Sequence, residues 1–108
     1  MTFFTTRIAT ATMFCLSLAA CSEAYGAEHT VAIKNFVFEP ANLTIAAGDT
    51  VTFINEDNAP HTATADNGAF DTKRLSKGQS ATFTFSNAAT YAYLCKLHPK
   101  MKATIVVQ

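Results

Sequence analysis

Apolar and polar residues alternate along most of the chain after residue 28, in short runs separated by residues typical of turns. Alternation with a period of two is typical of a β-strand with one buried face, and no later run has the period of about 3.6 residues that an amphipathic helix needs. The predicted strands are residues 29–34, 36–38, 43–45, 51–54, 61–65, 81–85, 90–95 and 103–107. Many short strands at this spacing predict an all-β domain, a β-sandwich or Greek-key barrel.

The aromatic residues of these runs predict where the core lies. Tyr91 and Tyr93 share one face of their strand. The phenylalanines are expected to fill the space between two sheets. They are Phe36, Phe38, Phe53, Phe70, Phe83 and Phe85. The last run, Thr104–Val107, is β-branched throughout, and we expect it to pair with Tyr91–Cys95 as a hairpin.

The first 26 residues have a different pattern. Arg7 is the only charged residue before Glu23, and residues 8–20 are apolar or small. That stretch is too short to span a bilayer but has the character of an export signal. The sequence therefore predicts a signal over residues 1–26 and a single mature domain over residues 27–108, located in the periplasm.

A second interpretation of the same segment places the cleavage site earlier. The run Leu18–Cys21 resembles the lipobox of bacterial lipoproteins, in which the cysteine becomes the lipidated first residue. The signal would then be residues 1–20, and Cys21 would anchor the domain on the periplasmic side of a membrane. Neither interpretation includes a segment that spans the membrane.

Charge argues against one class of partner. From Glu28 onward, seven Lys and Arg residues balance seven Asp and Glu residues. A net charge near zero gives no reason to expect a nucleic-acid partner. The charges are nevertheless unevenly distributed along the chain, because Lys96, Lys100 and Lys102 cluster near its end.

The most distinctive chemistry is a thiol, an imidazole and a thioether spaced three residues apart at the end of a predicted strand. These are Cys95, His98 and Met101, and a second imidazole, His61, lies upstream. The other two cysteines lie in or beside the signal, so Cys95 is the lone thiol of an exported domain, which is unusual unless a metal holds it. Two His, one Cys and a weak axial Met are the ligand set of a mononuclear blue-copper site.

These motifs resemble those of the cupredoxins, the type I copper proteins of the plastocyanin and amicyanin kind. The Cys-x-x-His-x-x-Met spacing resembles the short ligand loop of amicyanin, and the segment Val51–Thr62, with Asn55 six residues before His61, resembles the first-ligand region. The resemblance covers nearly all of Glu28–Gln108. It implies a cupredoxin-like Greek-key fold and an electron-transfer function in which one copper ion per chain cycles between Cu(I) and Cu(II).

The resemblance also implies roles for individual residues. The copper ligands carry over as His61, Cys95, His98 and Met101. Asn55 corresponds to a residue whose side chain ties the two ligand loops together, and His98 to the ligand whose ring edge reaches the surface and passes the electron. The chain departs from the amicyanin pattern at Lys100, which replaces an aromatic residue before the Met, and at Lys96-Leu97, which replaces a Thr-Pro pair.

The surface around His98 is the predicted docking site for transient redox partners of a monomeric protein. Its apolar part is formed by Ala59, Pro60, Leu97 and Pro99. Lys96 and Lys100 are expected to form a basic edge around it. Small interfaces of this type are typical of redox encounters, and charges at their rim act mainly on the association rate.

Three other functions would use some of the same residue types. The same ligands could serve a non-redox periplasmic copper carrier or storage protein. A structural zinc module is less compatible, because such sites prefer four thiolate or imidazole ligands. A hydrolase with Cys95 as nucleophile would need an oxyanion element, and no Gly-rich turn accompanies the cysteine. We therefore expect a protein that is not an enzyme.

Overall fold

A computed structural model describes residues 26–108. Cys21 and all of the predicted signal except Gly26 lie outside the described residues. The described part contains eight strands and no helix, as the alternating pattern predicts. They are β1 (Glu28–Lys34), β2 (Val37–Glu39), β3 (Asn42–Ile45), β4 (Asp49–Asn55), β5 (Thr64–Ala65), β6 (Ser80–Phe85), β7 (Ala89–Cys95) and β8 (His98–Val107). Within residues 26–108, no helix is long and apolar enough to cross a membrane.

The strands form two four-stranded sheets with the orders β2-β1-β4-β6 and β3-β8-β7-β5. β1 pairs with β4 and β3 pairs with β8 in parallel, whereas the other pairs are antiparallel. Apart from β1–β2 and β7–β8, each strand is followed in the chain by a strand of the other sheet, and the fold is the all-β sandwich that the sequence predicts. The expected hairpin of β7 and β8 is also confirmed.

The core lies between the sheets and is rich in aromatic rings. Tyr93 faces inward from β7, where its ring contacts Phe38, Phe53 and Phe70 with centroid distances of 4.8, 5.5 and 5.6 Å. Phe85 is also buried, and Phe83 packs partly buried against the same cluster. The prediction is wrong for Phe36, which is 48% exposed. Asn35 and Phe36 form a turn with positive φ angles, and this turn breaks the strand alternation that would have placed Phe36 in the core.

Two element boundaries differ from the sequence prediction near the ligand residues. The segment 61–65 is a strand only at Thr64–Ala65, and His61 instead forms an isolated bridge with Leu75. At the other side, β8 begins at His98 rather than at residue 103. The pairing with β7 is irregular here, because Leu94 pairs with Lys102 and Cys95 with His98, so residues 99–101 lie between two consecutive paired positions. The loop expected after Cys95 is thus a two-residue turn followed by an irregular stretch at the start of β8.

Candidate metal centre

Three predicted ligands lie close together at the turn end of the β7–β8 hairpin. They are His61, Cys95 and His98. One donor atom from each lies within 4.8 Å of the other two. The Sγ of Cys95 is 3.7 Å from Nδ1 of His61 and 3.7 Å from Nδ1 of His98. His61 and Cys95 are buried, and His98 is half-buried. Two imidazole nitrogens therefore face one thiol sulfur.

The spacing of these atoms fits a metal ion between them. Typical metal bonds are about 2.0 Å to an imidazole nitrogen and about 2.3 Å to a thiolate sulfur. At a trigonal angle near 120°, such bonds separate nitrogen from sulfur by about 3.7 Å. The observed 3.7 Å for both pairs is close to this value, so the site needs no large rearrangement to bind a metal.

Two chain segments that are distant in sequence supply these donors. Cys95 ends β7 and is paired with His98 at the start of β8, with a register irregularity between Leu94 and Cys95. His61 lies 34 residues before Cys95. Its backbone is fixed by reciprocal hydrogen bonds with Leu75, of 3.1 Å to the Leu75 carbonyl and 2.8 Å from the Leu75 N–H.

Thr62 connects the two segments. Its backbone N–H donates to the Sγ of Cys95 at 3.3 Å. Its hydroxyl oxygen accepts a hydrogen bond from the backbone N–H of Lys96 at 2.9 Å. This role of Thr62 was not predicted from the sequence, although its position directly after a predicted ligand was a signal that could have identified it.

Asn55 is fully buried and makes three hydrogen bonds around His61. Its side-chain amide donates to the carbonyls of Ala59 and Leu75 at 2.9 and 2.8 Å, and its Oδ1 accepts from the backbone N–H of Asp57 at 2.9 Å. Asn55 therefore joins the chain before His61 to the Leu75 segment that pairs with His61. The hydrogen bonds to the Cys95–Lys96 segment are made by Thr62 rather than by Asn55.

Asp57 is a further residue that sequence reasoning did not identify. Its Oδ2 lies 2.8 Å from Nε2 of His61. A carboxylate only accepts, so Nε2 carries the proton and Nδ1 is left free as a donor to a metal. The same carboxylate accepts the backbone N–H groups of Asn35 at 2.7 Å and Phe36 at 3.0 Å.

These contacts also set the charge state of Asp57. Burial raises the pKa of the Asp57 carboxyl, but the hydrogen bonds from the backbone N–H groups of Phe36 and Asn35 lower it. The hydrogen bond and the charge interaction with His61 act in the same direction. The net effect holds the pKa of Asp57 below its usual value, so the group beside His61 is a carboxylate at neutral pH.

Phe36 lies over the two imidazoles rather than in the core. Its ring centroid is 4.9 Å from that of His61 and 4.9 Å from that of His98, with interplanar angles of 88° and 82°. The two imidazole centroids are themselves 4.9 Å apart. The three rings form a triangular edge-to-face cluster, a geometry that aromatic rings favour.

The comparison with known proteins identifies the family. Residues 6–107 match the family described as the cupredoxin-like domain. The chain belongs to the cupredoxin-like family. This cupredoxin is 38% identical over 85 residues to a plastocyanin of Scenedesmus fuscus, and the alignment covers 67% of this chain and 87% of that protein. It is 32% identical over 94 residues to the amicyanin of Paracoccus denitrificans, which covers 82% of this chain and 72% of that protein.

A solved structure supports the same fold. The Cu-containing nitrite reductase of Thermus scotoductus resembles this cupredoxin with a TM-score of 0.71 and 32% identity. The match covers 75% of this chain but only 22% of the nitrite reductase. The chain thus corresponds to one part of that larger enzyme.

The fourth predicted ligand of this cupredoxin, Met101, lies on β8 three residues after His98. It is 6% exposed. Met101 and His98 line one apolar groove together with Phe36, Pro99 and Lys100. The structure therefore places all four predicted ligand residues in the same region.

Proposed function

We propose that this cupredoxin is a periplasmic electron-transfer protein that binds one copper ion per chain through His61, Cys95, His98 and Met101. The observation that carries the proposal is the placement of two imidazole nitrogens, each 3.7 Å from the same buried sulfur. Copper bound there supplies a one-electron couple between Cu(I) and Cu(II). Thiolate and thioether are soft ligands that suit Cu(I), while imidazole suits both oxidation states.

The alternatives to copper are less compatible with the site. A thioether as the fourth donor disfavours a structural zinc site, which prefers thiolate and imidazole. A hydrolase would need an accessible nucleophile, but Cys95 is fully buried and its sulfur accepts the N–H of Thr62. The match covers only a small part of the nitrite reductase, so that protein's activity gives no reason to propose an enzyme here.

The protein's own residues hold the donors in place while the electron moves. Cys95 and His98 are paired across the β7–β8 hairpin, and His61 is fixed by its bridge to Leu75. A site that the fold holds rigid changes little between oxidation states. The N–H of Thr62 withdraws electron density from the sulfur, which is one of the means by which a protein sets a reduction potential.

The proposed route for the electron is the exposed edge of His98. Around this residue, Phe36 is 48% and Leu97 41% exposed, and Pro99 is exposed as well. We define these three residues as the apolar patch. Ala59 and Pro60, which the sequence analysis placed at this surface, are half-buried. The patch fits a transient redox partner with an apolar contact surface.

The basic edge of the apolar patch is narrower than the sequence suggested. The ammonium of Lys96 lies 3.5 Å from a carboxylate oxygen of Asp71, so its charge is partly balanced. Lys100 is exposed and lines the groove beside His98. We therefore propose that Lys100 provides the positive charge that attracts an acidic partner.

The proposed location rests on the first 26 residues acting as an export signal. Cleavage after Gly26 would release the domain 27–108, and cleavage before Cys21 would leave it attached to lipid. The mass of the mature protein distinguishes the two outcomes, because the lipidated form carries acyl chains and begins at Cys21.

Titration of the purified protein with Cu(II) and voltammetry test the proposed function. We expect saturation at one equivalent of copper, an intense visible absorption band, and a reversible one-electron couple with fast self-exchange. A protein that stays colourless would refute the copper site. Tight Cu(I) binding with slow electron exchange would instead support the alternative, a copper carrier or storage protein.

Changing Lys100 to glutamate should reverse the charge next to the electron route. The rate of electron transfer from the reduced protein to hexacyanoferrate(III), an anion, should fall about threefold to tenfold at low ionic strength and recover at high salt. The rate to a cationic cobalt(III) phenanthroline complex should rise. Stopped-flow mixing measures both rates.

Lys102→Glu is the matched control, since Lys102 is exposed two residues further along β8 and lines a different groove. It carries the same charge change away from the apolar patch. Equal effects of the two substitutions on both rates would show that the electron does not leave beside Lys100.

A further inference from the structure

We propose that Asp57 is a positioning residue that locks the Asn35–Phe36 turn onto the ligand His61 and lowers the reduction potential of the site. The inference deepens the proposed function and rests on it. The carboxylate of Asp57 accepts three N–H groups from two parts of the chain. These groups are Nε2 of His61 and the backbone N–H groups of Asn35 and Phe36.

The Asn35–Phe36 turn needs such an anchor. Its two residues have φ angles of 56° and 60°. Left-handed backbone is tolerated by Asn but is costly for a bulky residue such as Phe. Hydrogen bonds of 2.7 and 3.0 Å from both N–H groups to Asp57 offset this cost. The carboxylate therefore selects the turn conformation.

The conformation of the Asn35–Phe36 turn fixes the position of the Phe36 ring. The ring stands edge-to-face against both imidazoles, with each centroid distance at 4.9 Å. It also lines the apolar groove that contains His98 and Met101. Asp57 thus determines whether an apolar ring or solvent covers this side of the site.

Asp57 also acts directly on His61. A carboxylate that accepts the Nε2 proton makes the imidazole a stronger electron donor through Nδ1. A negative charge near the metal favours the more positive oxidation state. Both effects stabilise Cu(II) relative to Cu(I), and both lower the reduction potential.

Asp57→Asn tests the inference with little change in shape. An amide has one oxygen acceptor and one NH2 donor, so it cannot accept all three N–H groups. We expect the affinity for Cu(I) relative to Cu(II) to rise about tenfold, which corresponds to an increase of about 59 mV in the reduction potential. In the copper-free protein, the amide protons of Asn35 and Phe36 should exchange with solvent at least about ten times faster.

Glu56→Gln is the matched control. Glu56 is the adjacent residue, it is exposed, and the substitution removes the same charge without touching His61. Its effect on the potential should be small because solvent and salt screen an exposed charge. The inference is overturned if Asp57→Asn raises the reduction potential no more than Glu56→Gln does. It is also overturned if Asp57→Asn speeds the exchange of the Asn35 and Phe36 amides no more than Glu56→Gln does.

Two features keep the test decisive. Amide exchange is measured without copper, so failure of the proposed electron transfer and failure of the role of Asp57 give different results. The wild-type protein supplies a second measurement in case the Asn variant does not fold. In it, the amides of Asn35 and Phe36 should exchange at least about tenfold more slowly than the amide of exposed Asn67, and fast exchange of both would overturn the inference.

Discussion

Replacing Cys95 with serine is expected to abolish the intense visible band of the copper-loaded protein and to weaken copper binding by at least about a hundredfold. Loss of an outer-shell hydrogen bond alone typically lowers metal affinity by roughly 10- to 100-fold, and loss of a direct ligand lowers it further. The sulfur is also the atom that both imidazole nitrogens face at 3.7 Å. Visible spectroscopy during a Cu(II) titration measures both changes.

His29→Gln serves as the control for Cys95→Ser. His29 is the one imidazole of the chain outside the site, and its Nε2 is 2.9 Å from a carboxylate oxygen of Asp49. This variant should retain the band and the affinity. A serine variant as strongly coloured as the wild type would show that the thiolate is not a copper ligand.

The second large effect is expected at Asn55. Asn55→Ala would leave the carbonyls of Ala59 and Leu75 and the N–H of Asp57 without their partner. Each unsatisfied buried group costs about 1–3 kcal/mol, and some will recover a bond to water. We expect the free energy of unfolding of the copper-free protein to fall by about 3–5 kcal/mol. Denaturant unfolding measures this loss, which is a large fraction of the stability of so small a domain.

Asn58→Ala provides the comparison, because Asn58 is exposed in the loop that follows Asn55. Its effect should remain within about 0.5 kcal/mol. An equally small loss of unfolding free energy in Asn55→Ala would show that the hydrogen bonds of Asn55 do not hold the His61 segment in place. Copper affinity of the two variants then reports whether the segment also orients the ligand.

The strands were predictable because side-chain alternation is a local property of the sequence. It located most of the eight strands and the β7–β8 hairpin. It failed at Phe36, where an apolar run was read as a core strand. Because the Asn35–Phe36 turn is left-handed, the period of two is broken just before β2, and the ring is directed to the metal site instead.

The donor residues were predictable because their chemistry is rare. A lone thiol with His and Met at fixed spacings predicts a metal site from residue types alone. The role of Asp57 was not predictable in this way, because two of its three partners lie 21 and 22 residues earlier in the chain. Nothing local distinguishes its carboxylate from that of its exposed neighbour Glu56. Only the tertiary fold brings it to the Asn35–Phe36 turn, although His61 lies just four residues after it.

The distance in sequence between the donors links copper supply to folding. His61 and Cys95 are 34 residues apart, so only the folded chain offers the complete donor set. A ligand that binds only the folded state adds about 2.7 kcal/mol of stability when its free concentration is a hundred times its dissociation constant. The amount of folded protein in the cell is therefore expected to follow the availability of copper, and copper starvation should make this chain more susceptible to proteolysis.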